Sequence, residues 1–296
     1  MALTRATDIN INKRHVGAYS VEIDCTELGD ALAHQIELLY GGYPPMNTDD
    51  KAYLVVSPKQ VRRWLPFGAR KVEFCVGGRF PFGSMPSKYS LPVIEAGLNW
   101  LITRSATHLL FHAAVVARAG KAILLPGPSG AGKSTLSSSL MAEGWQLLSD
   151  EFAILAPEDN RLLPHPRPIS LKEESIDIVA RIVPDAYFSD RVAGTAKGEI
   201  AYLKPSQETI DNANRSALPV AIIFPRYAPH GDHVLHPVAK ADAFMRLVGH
   251  SANYFTMMEA SFEALSWMVN ACPIYDFTYR NLDQAISDIS EIHMRL

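Results

Sequence analysis

The stretch Gly127-Pro-Ser-Gly-Ala-Gly-Lys-Ser134 decides the fold, because it satisfies the pattern G-x-x-x-x-G-K-[ST] without a gap. An apolar segment, residues 122–126, precedes it and predicts a strand that is buried on both faces. The segment Lys133–Ala142 follows and predicts an amphipathic helix. Glycines permit a bend in which successive backbone N–H groups point into one concavity, and the helix dipole favours an anion there. The sequence therefore predicts a phosphate-binding loop between a strand and a helix.

The last residues of this loop have separate expected roles. Lys133 can reach the β- and γ-phosphates of a nucleotide, and the hydroxyl of Ser134 can ligate Mg²⁺. The predicted cofactors are therefore ATP and Mg²⁺. The residues expected to contact the nucleotide are Gly127, Pro128, Ser129, Gly130, Ala131, Gly132, Lys133, Ser134 and Thr135.

Two acidic residues follow the next predicted strand, residues 145–149. They are Asp150 and Glu151, and carboxylates at such a strand end are placed for a metal contact or for a general base. Adjacent residues on an extended strand point to opposite faces, so both acids can serve one site only if the strand has ended before them. The sequence leaves open which acid binds the metal and which is the base.

The wider pattern predicts an α/β protein. Strands alternate with helices after residue 90, which is typical of a largely parallel or mixed sheet. Residues 1–88 read as a small α+β domain of short strands and one helix, and a turn-rich segment, Pro81–Pro86, marks the boundary to a second domain, residues 89–296. The helices predicted in the second domain cover residues 90–105, 133–142, 171–181, 241–248 and 260–271 and begin again at 282.

Composition excludes several classes of function. The 296 residues carry a net charge of −3, whereas nucleic-acid and anionic-membrane binders normally show a basic excess. No run of about 18 apolar residues is present, and the first residues lack the apolar stretch of a secretory signal. Three widely spaced cysteines favour reduced thiols. We therefore expect a cytoplasmic protein that binds neither nucleic acid nor membrane.

The segment from His112 through the loop to Leu148-Ser-Asp-Glu151 resembles the HPr kinase/phosphorylase family. In that family a histidine precedes the first loop glycine by 15 residues, and two acids follow the loop lysine by 17 and 18 residues, as His112, Asp150 and Glu151 do here. The chain is still more similar to the branch called HPr-kinase-related kinases of type A. The strings that carry this likeness are Arg62-Arg-Trp64, Gly97-Leu-Asn-Trp100, Leu147-Leu-Ser-Asp-Glu151, Arg167-Pro-Ile-Ser-Leu-Lys172 and Phe224-Pro-Arg-Tyr227.

The resemblance implies a P-loop kinase domain of the HPr-kinase/phosphoenolpyruvate-carboxykinase type, which transfers the γ-phosphate of ATP to a hydroxyl, typically of serine. His112 corresponds to the active-site histidine of the family. The second acid of the pair is the base on the acceptor hydroxyl in HPr kinase, and here that position holds Glu151 instead of aspartate. Because glutamate is one methylene longer, Asp150 remains an alternative for the base as well as a metal ligand.

Other site residues are also implied by the resemblance. Glu173 is the candidate for the glutamate metal ligand of the family, beside Ser134 and Asp150. Lys197 and Arg226 are candidates for the cation that stabilises transition-state charge. The segment that true HPr kinase/phosphorylases need for phosphorolysis is not recognisable, so we do not expect the reverse reaction.

The resemblance implies a protein or peptide as the phosphate acceptor. Type A relatives tend to occur beside a small peptide-chaperone-like protein, which is therefore a candidate partner, and the hexamers of true HPr kinases suggest a homo-oligomer. Two alternatives stay open. A small-molecule kinase for a serine-like metabolite would have a closed acceptor pocket, and a nucleotide-dependent switch or binding module would bind ATP without transferring phosphate.

Overall fold

The structure, a computed structural model, describes residues 11–47, 51–60 and 71–296. In these ranges the chain forms three β-sheets with helices packed around them, which confirms the mixed α/β architecture expected from the sequence. The string Arg62-Arg-Trp64 lies outside the described residues. No helix in the described part of the chain has the length and apolar character needed to cross a bilayer.

The amino-terminal sheet has its strands in the order β1-β2-β3-β4-β5. Their bounds are β1 (Ile11–Val16), β2 (Tyr19–Asp24), β3 (Leu54–Gln60), β4 (Lys71–Val76) and β5 (Met85–Pro86). Strands β2 and β4 alternate buried residues with more accessible ones, the pattern of a sheet that packs on a core with one face. Helices α1 (Asp30–Tyr40) and α2 (Ser90–Ser105) contribute the apolar side chains that cover this face.

The central sheet has the order β10-β9-β6-β7-β14-β16-β15, and β8 pairs with β6. Strand β14 runs parallel to both β7 and β16, whereas the other pairs are antiparallel, so the sheet is mixed. The bounds are β6 (Leu109–Arg118), β7 (Lys121–Pro126), β8 (Gln146–Ser149), β9 (Phe152–Leu155), β10 (Leu162–Leu163), β14 (Leu218–Tyr227), β15 (Val234–Pro237) and β16 (Ile274–Tyr279).

Strands β8 and β9 lie end to end along one side of β6. Ser149 at the end of β8 pairs with Val115, and Phe152 at the start of β9 pairs with His112. Two residues stand between the paired positions on each strand, so the register is the same on both sides of the break. Asp150 and Glu151 are therefore the unpaired residues of this edge, and they lie opposite the two residues of β6 between His112 and Val115.

A third, antiparallel sheet has the order β11-β13-β12 and consists of β11 (Ile169–Lys172), β12 (Val192–Thr195) and β13 (Gly198–Leu203). The helix predicted over Leu171–Arg181 is wrong at its start, because Leu171 and Lys172 pair with β13. The helix begins only at Glu174, after Glu173 has taken a backbone φ of 46°. Pairing with a strand from later in the chain is a tertiary contact that helical spacing cannot reveal.

Helices cover both faces of the central sheet. One face carries apolar side chains of α3, α4 and α9, and the other face carries those of α6 and α8. The helices predicted near residues 133–142, 241–248 and 260–271 and from 282 are confirmed. The remaining bounds are α3 (Lys133–Ala142), α4 (Glu174–Ile182), α5 (Gln207–Asp211), α6 (Lys240–His250), α7 (Tyr254–Met257), α8 (Glu259–Ala271) and α9 (Leu282–Met294).

The division of the chain at residue 88 stays a prediction. Helix α2, which this division assigns to the second domain, packs on β3 and β4 of the amino-terminal sheet. Leu110, Ile154 and Tyr202 add to the same core from the other sheets. The amino-terminal sheet and the central sheet thus share buried apolar surface in this structure.

Candidate active site

A cleft of about 810 Å³ lies at the edge of the central sheet where β7, β14 and β16 end. Parallel strands end at the same edge, so the loops that follow them bring their residues together there. Strand β6 runs antiparallel to β7, and its first half, which contains His112, reaches the same edge. The lining residues are His112, Ser129, Gly130, Gly132, Lys133, Ser134, Thr135, Asp150, Glu151, Ser170, Lys172, Glu173, Glu174, Ser175, Ile178, Lys197, Tyr227, Tyr279, Arg280 and Leu282.

The loop between β7 and α3 is fastened to the neighbouring strands. The backbone N–H of Tyr227 donates to the carbonyl of Ala131 (3.1 Å), and the hydroxyl of Tyr279 donates to the carbonyl of Gly132 (3.2 Å). Gly132 has a φ of 90°, and a Cβ at this position would lie 2.4 Å from the Tyr279 hydroxyl oxygen. Glycine is therefore required at residue 132 both for the turn and for the approach of β16.

The ammonium of Lys133 lies against the loop itself. It donates to the carbonyls of Gly127 (2.7 Å) and Pro128 (2.9 Å), and Nε2 of His112 lies 3.5 Å away. Lys133 is only 6% exposed, and burial lowers its pKa although the carboxylates of Asp150 and Glu151 oppose this shift. The loop thus holds a buried cation at its base, where an anion that enters the loop would meet it.

Asp150 is held between α3 and the sheet. Its two carboxylate oxygens accept hydrogen bonds from the hydroxyls of Ser134 and Ser137, each at 2.9 Å. The residue is 7% exposed, and burial, together with the charge of Glu151, raises its pKa to about 6. A carboxylate and a hydroxyl that face each other at the start of α3 form a set of hard oxygen donors.

Those donors fit Mg²⁺, which is usually bound by one or two protein oxygens together with water and substrate phosphates. Among the described residues no group of three or more His, Cys, Asp or Glu side chains could hold a metal by themselves. Such a magnesium ion would therefore depend on the phosphates of a bound nucleotide for its remaining ligands. Ser134 and Asp150 are the residues that could hold it.

Glu151, in the break between β8 and β9, lies close to His112 on the neighbouring strand β6. Nδ1 of His112 lies 3.8 Å from Oε1 of Glu151, and both side chains are about one-third exposed. Burial is the main cause that lowers the pKa of His112, and the charge of Lys133 adds to it, while Glu151 acts in the opposite direction. The lowered pKa favours the neutral form of this imidazole, which lies between a carboxylate and an ammonium.

A buried ion pair lies beneath the two acids. Nη1 of Arg167 is 3.1 Å from Oε2 of Glu95 on α2, and both side chains are 7% exposed. The hydroxyl of Tyr40 donates to Glu95 (2.5 Å), and Arg167 also donates to Asn99. This network connects α2 to the segment that leads into β11, and it lines a small cavity behind Asp150 and Glu151.

The third sheet supplies two lysines to the cleft. Lys172, at the end of β11, donates to the hydroxyl of Ser129 at the tip of the loop (2.8 Å). Burial lowers its pKa, and the next cause is the charge of Lys197, which lies in the turn between β12 and β13. The two ammonium groups therefore face the same space above the loop.

The structure brings together most of the residues that the sequence singles out. Those that line the cleft are His112, Ser129, Gly130, Gly132, Lys133, Ser134, Thr135, Asp150, Glu151, Glu173 and Lys197. Arg226 does not line it. Neighbouring residues of a strand point in opposite directions, and here Tyr227 faces the cleft while Arg226 is exposed elsewhere.

Lys172 and Arg280 are cations of the cleft that the sequence reasoning missed. The sequence analysis places Lys172 in a helix, whereas the segment Ile169–Lys172 alternates buried and half-buried residues with the period of a strand. Arg280 directly follows β16, so the rule that functional side chains gather at the carboxyl ends of parallel strands could have found it.

Comparisons with known proteins give limited likenesses. The family described as SynChlorMet cassette protein ScmC matches residues 96–172, about a quarter of the chain, including the loop and both acids. No curated protein matches the chain. The Hpr(Ser) kinase/phosphatase from Coxiella burnetii is similar in structure over 62% of this chain and 95% of that chain, with 16% identity and a TM-score of 0.31. A TM-score this low carries no argument about fold or function, so the case for function rests on the residues of the cleft.

Proposed function

We propose that the protein is an ATP-dependent kinase, related to the HPr kinases, that transfers the γ-phosphate to a serine hydroxyl of a protein or peptide. The observation that carries this proposal is the convergence on one cleft of a G-x-x-x-x-G-K-S loop, two carboxylates and several cations. Phosphoryl transfer needs mainly positioning and neutralisation of charge, and these residue types supply both.

The loop would hold the phosphates of the nucleotide. Its backbone N–H groups and the start of α3 favour an anion, and Lys133 already lies at its base. A phosphate oxygen would compete with the carbonyls of Gly127 and Pro128 for the ammonium of Lys133. A charged acceptor makes the stronger hydrogen bond, so we expect the lysine to turn toward the nucleotide.

Ser134 and Asp150 would hold Mg²⁺. Their hydrogen bond brings a hydroxyl and a carboxylate together, and both are hard oxygen donors of the kind that Mg²⁺ prefers. Bound there, the ion would neutralise negative charge on the β- and γ-phosphate oxygens. Both oxygens of Asp150 are already engaged by hydroxyls. This arrangement favours Asp150 as the metal ligand and leaves the role of base to Glu151.

Glu151 would take the proton of the acceptor hydroxyl as its oxygen attacks the γ-phosphorus. The carboxylate lies on the cleft, with Nδ1 of His112 3.8 Å from its Oε1. Lys172 and Lys197 would contact the equatorial oxygens of the transferring group, where negative charge is spread in the transition state. After transfer, the proton stays on Glu151 until the products leave.

The resemblance to the type A branch is what supports a protein or peptide acceptor over a metabolite. It also supports a small peptide-chaperone-like partner and self-association. Once the acceptor is known, binding of the chaperone-like protein and self-association can each be measured with the purified proteins.

A label-transfer experiment tests the proposal. The purified protein is incubated with Mg²⁺, ATP labelled at the γ-phosphate and a fractionated lysate of the source organism, beside Lys133→Ala. Lys121→Ala, which removes an exposed lysine at the start of β7, is the matched control. We expect label in a protein or peptide fraction with the wild type and the control, and none with Lys133→Ala.

The other outcomes would contradict the proposal in different ways. Label that moves only into a new small organic phosphate would make the protein a metabolite kinase. Label released only as inorganic phosphate would make it a nucleotide-dependent switch. Equal transfer by Lys133→Ala would show that this cleft is not the site.

A further inference from the structure

The side chain of Glu173 is bound to the backbone of the neighbouring strand. Its Oε1 accepts a hydrogen bond from the backbone N–H of Glu199 (2.8 Å), and its own N–H donates to the carbonyl of Glu199 (3.0 Å). Glu173 therefore holds one residue of β13 from two directions. The same residue has a φ of 46°, a left-handed value that is strained for any residue except glycine.

Gly198 provides the space in which this carboxylate lies. Its φ is 82°, and a Cβ built on it would stand 1.7 Å from Oε1 of Glu173. Any other residue at 198 would expel the carboxylate from its position. At the start of β13, the strained backbone of Glu173 thus lies beside Gly198, which leaves space for the Glu173 carboxylate.

This contact lies next to the turn that carries Lys197. Thr195 and Gly198 close the turn, since the Thr195 hydroxyl donates to the carbonyl of Gly198 (2.7 Å) and accepts from the N–H of Lys197 (3.1 Å). An exposed set of ion pairs, of Arg191 with Glu199 and Asp177, also connects this region to α4. Exposed pairs of this kind contribute little to holding a segment in place.

We propose that Glu173 is a positioning residue, whose carboxylate fixes the β12–β13 turn and thereby keeps Lys197 over the cleft. The consequence for catalysis rests on the proposed function, whereas the fixing of the turn does not. This role differs from that of a metal ligand, which the resemblance implies for the same residue. A carboxylate that ligates Mg²⁺ binds it much more strongly than a neutral amide oxygen does, whereas the hydrogen bond to Glu199 needs only an acceptor oxygen.

Amide hydrogen exchange tests the fixing of the turn without any assay of activity. Loss of a hydrogen bond to a charged acceptor should speed exchange of the Glu199 N–H by about tenfold or more in Glu173→Ala. Glu173→Gln retains an acceptor oxygen and should restore most of the protection. The Tyr202 N–H, which donates to the hydroxyl of Ser189, serves as the internal reference because it belongs to the same strand.

Two glycine variants distinguish displacement of the Glu173 carboxylate from backbone strain anywhere in the β12–β13 hairpin. Gly198→Ala should speed exchange at Glu199 as Glu173→Ala does. Gly194→Ala is the matched control, since Gly194 has a φ of 78° in the same hairpin and its Cβ would face Tyr89 instead of Glu173. Equal acceleration by both glycine variants would overturn the inference that position 198 is kept open for Glu173.

Transfer kinetics test the consequence for Lys197. Glu173→Ala should lower kcat roughly tenfold and leave KM for ATP within about twofold, because Lys197 meets only the transferring group. It should add little to the loss caused by Lys197→Ala, and Glu173→Gln should recover most of the rate. Failure of Glu173→Gln to recover either exchange protection or rate, with a raised need for Mg²⁺, would overturn the proposal in favour of a metal ligand.

The two proposals fail in distinguishable ways. If the wild type transfers no phosphate, the proposed function is lost, while exchange at Glu199 still reports on the turn. If the wild type transfers phosphate and Glu173→Ala exchanges and reacts like the wild type, the kinase stands and the positioning role is refuted.

Discussion

Replacing Asp150 by asparagine should stabilise the folded protein at neutral pH. Burial raises the pKa of Asp150 from 3.8 to about 6, so the folded state binds its proton more tightly than the unfolded state does. The stabilisation that comes with this proton is complete below about pH 4 and is lost as the pH rises through 6. A shift of this size corresponds to about 3 kcal/mol that the buried charge costs above pH 7.

Asparagine removes that cost without leaving polar groups unpaired. Its amide oxygen can accept from the Ser134 hydroxyl, and its NH₂ can donate to the hydroxyl of Ser137. The Ser137 hydroxyl is then free to donate to the carbonyl of Ser134, which lies 3.2 Å away. We therefore expect Asp150→Asn to gain up to about 3 kcal/mol in the free energy of unfolding at pH 8, and to lose phosphate transfer.

Urea unfolding of the wild type and of Asp150→Asn at a series of pH values from 5 to 8 measures this difference. It should increase between pH 5 and 6 and be nearly constant from pH 7 to 8. Asp185→Asn removes an exposed carboxylate and is the control, expected to change stability by less than about 0.5 kcal/mol at each pH. A difference independent of pH, or a less stable Asp150→Asn at pH 8, would refute the account of a buried charge.

Two further variants address the cleft and the network beneath it. Lys172→Ala should lower kcat by about 100-fold with little change in KM for ATP, because the proposed contact of Lys172 is with the transferring group, where charge develops in the transition state; a rise in KM alone in steady-state kinetics would contradict this. Arg167→Met leaves Glu95 buried without its cation and should cost about 3–5 kcal/mol in urea unfolding, whereas the double variant with Glu95→Leu should recover most of this loss. A double variant no more stable than Arg167→Met would contradict that reasoning.

The loop, its flanking strand and helix, and the position of the two acids follow from the sequence because they are local features. The run of apolar residues before Gly127 predicts β7, and the loop motif predicts that a helix follows it. The expected amphipathic pattern of this helix is wrong, because Ser137, Ser138 and Ser139 of α3 are buried as well as its apolar residues. Asp150 and Glu151 follow a strand directly, and the expectation that both could serve one site only after the strand had ended agrees with their place between β8 and β9. Their chemical roles stay predictions.

The rest of the cleft depends on contacts between distant parts of the chain. Lys172 reaches the loop because β11 pairs with β13, which comes later in the chain, and the same pairing makes Leu171 and Lys172 part of a strand where the sequence predicts a helix. Arg226 does not line the cleft, because the direction of a side chain at a strand end depends on register, which one sequence does not reveal. The strain at Glu173 and the space at Gly198 also depend on such contacts, because they arise where β11 and β13 meet.

The break between β8 and β9 has a consequence for what the gene can tolerate. Strands β8 and β9 both pair with β6, and the register at Ser149 is the same as that at Phe152, although it shifts by one residue further back in β8, between Ser149 and Leu147. The number of residues between Ser149 and Phe152 therefore sets the position of the two acids. An insertion or deletion of one residue there would shift one of the two strands by a position and exchange the side chains that it packs on the two faces of the sheet, both of which are buried. A substitution at Asp150 or Glu151 changes the chemistry of the site and leaves the pairing of both strands with β6 as it is, whereas a change in the number of residues between them alters both.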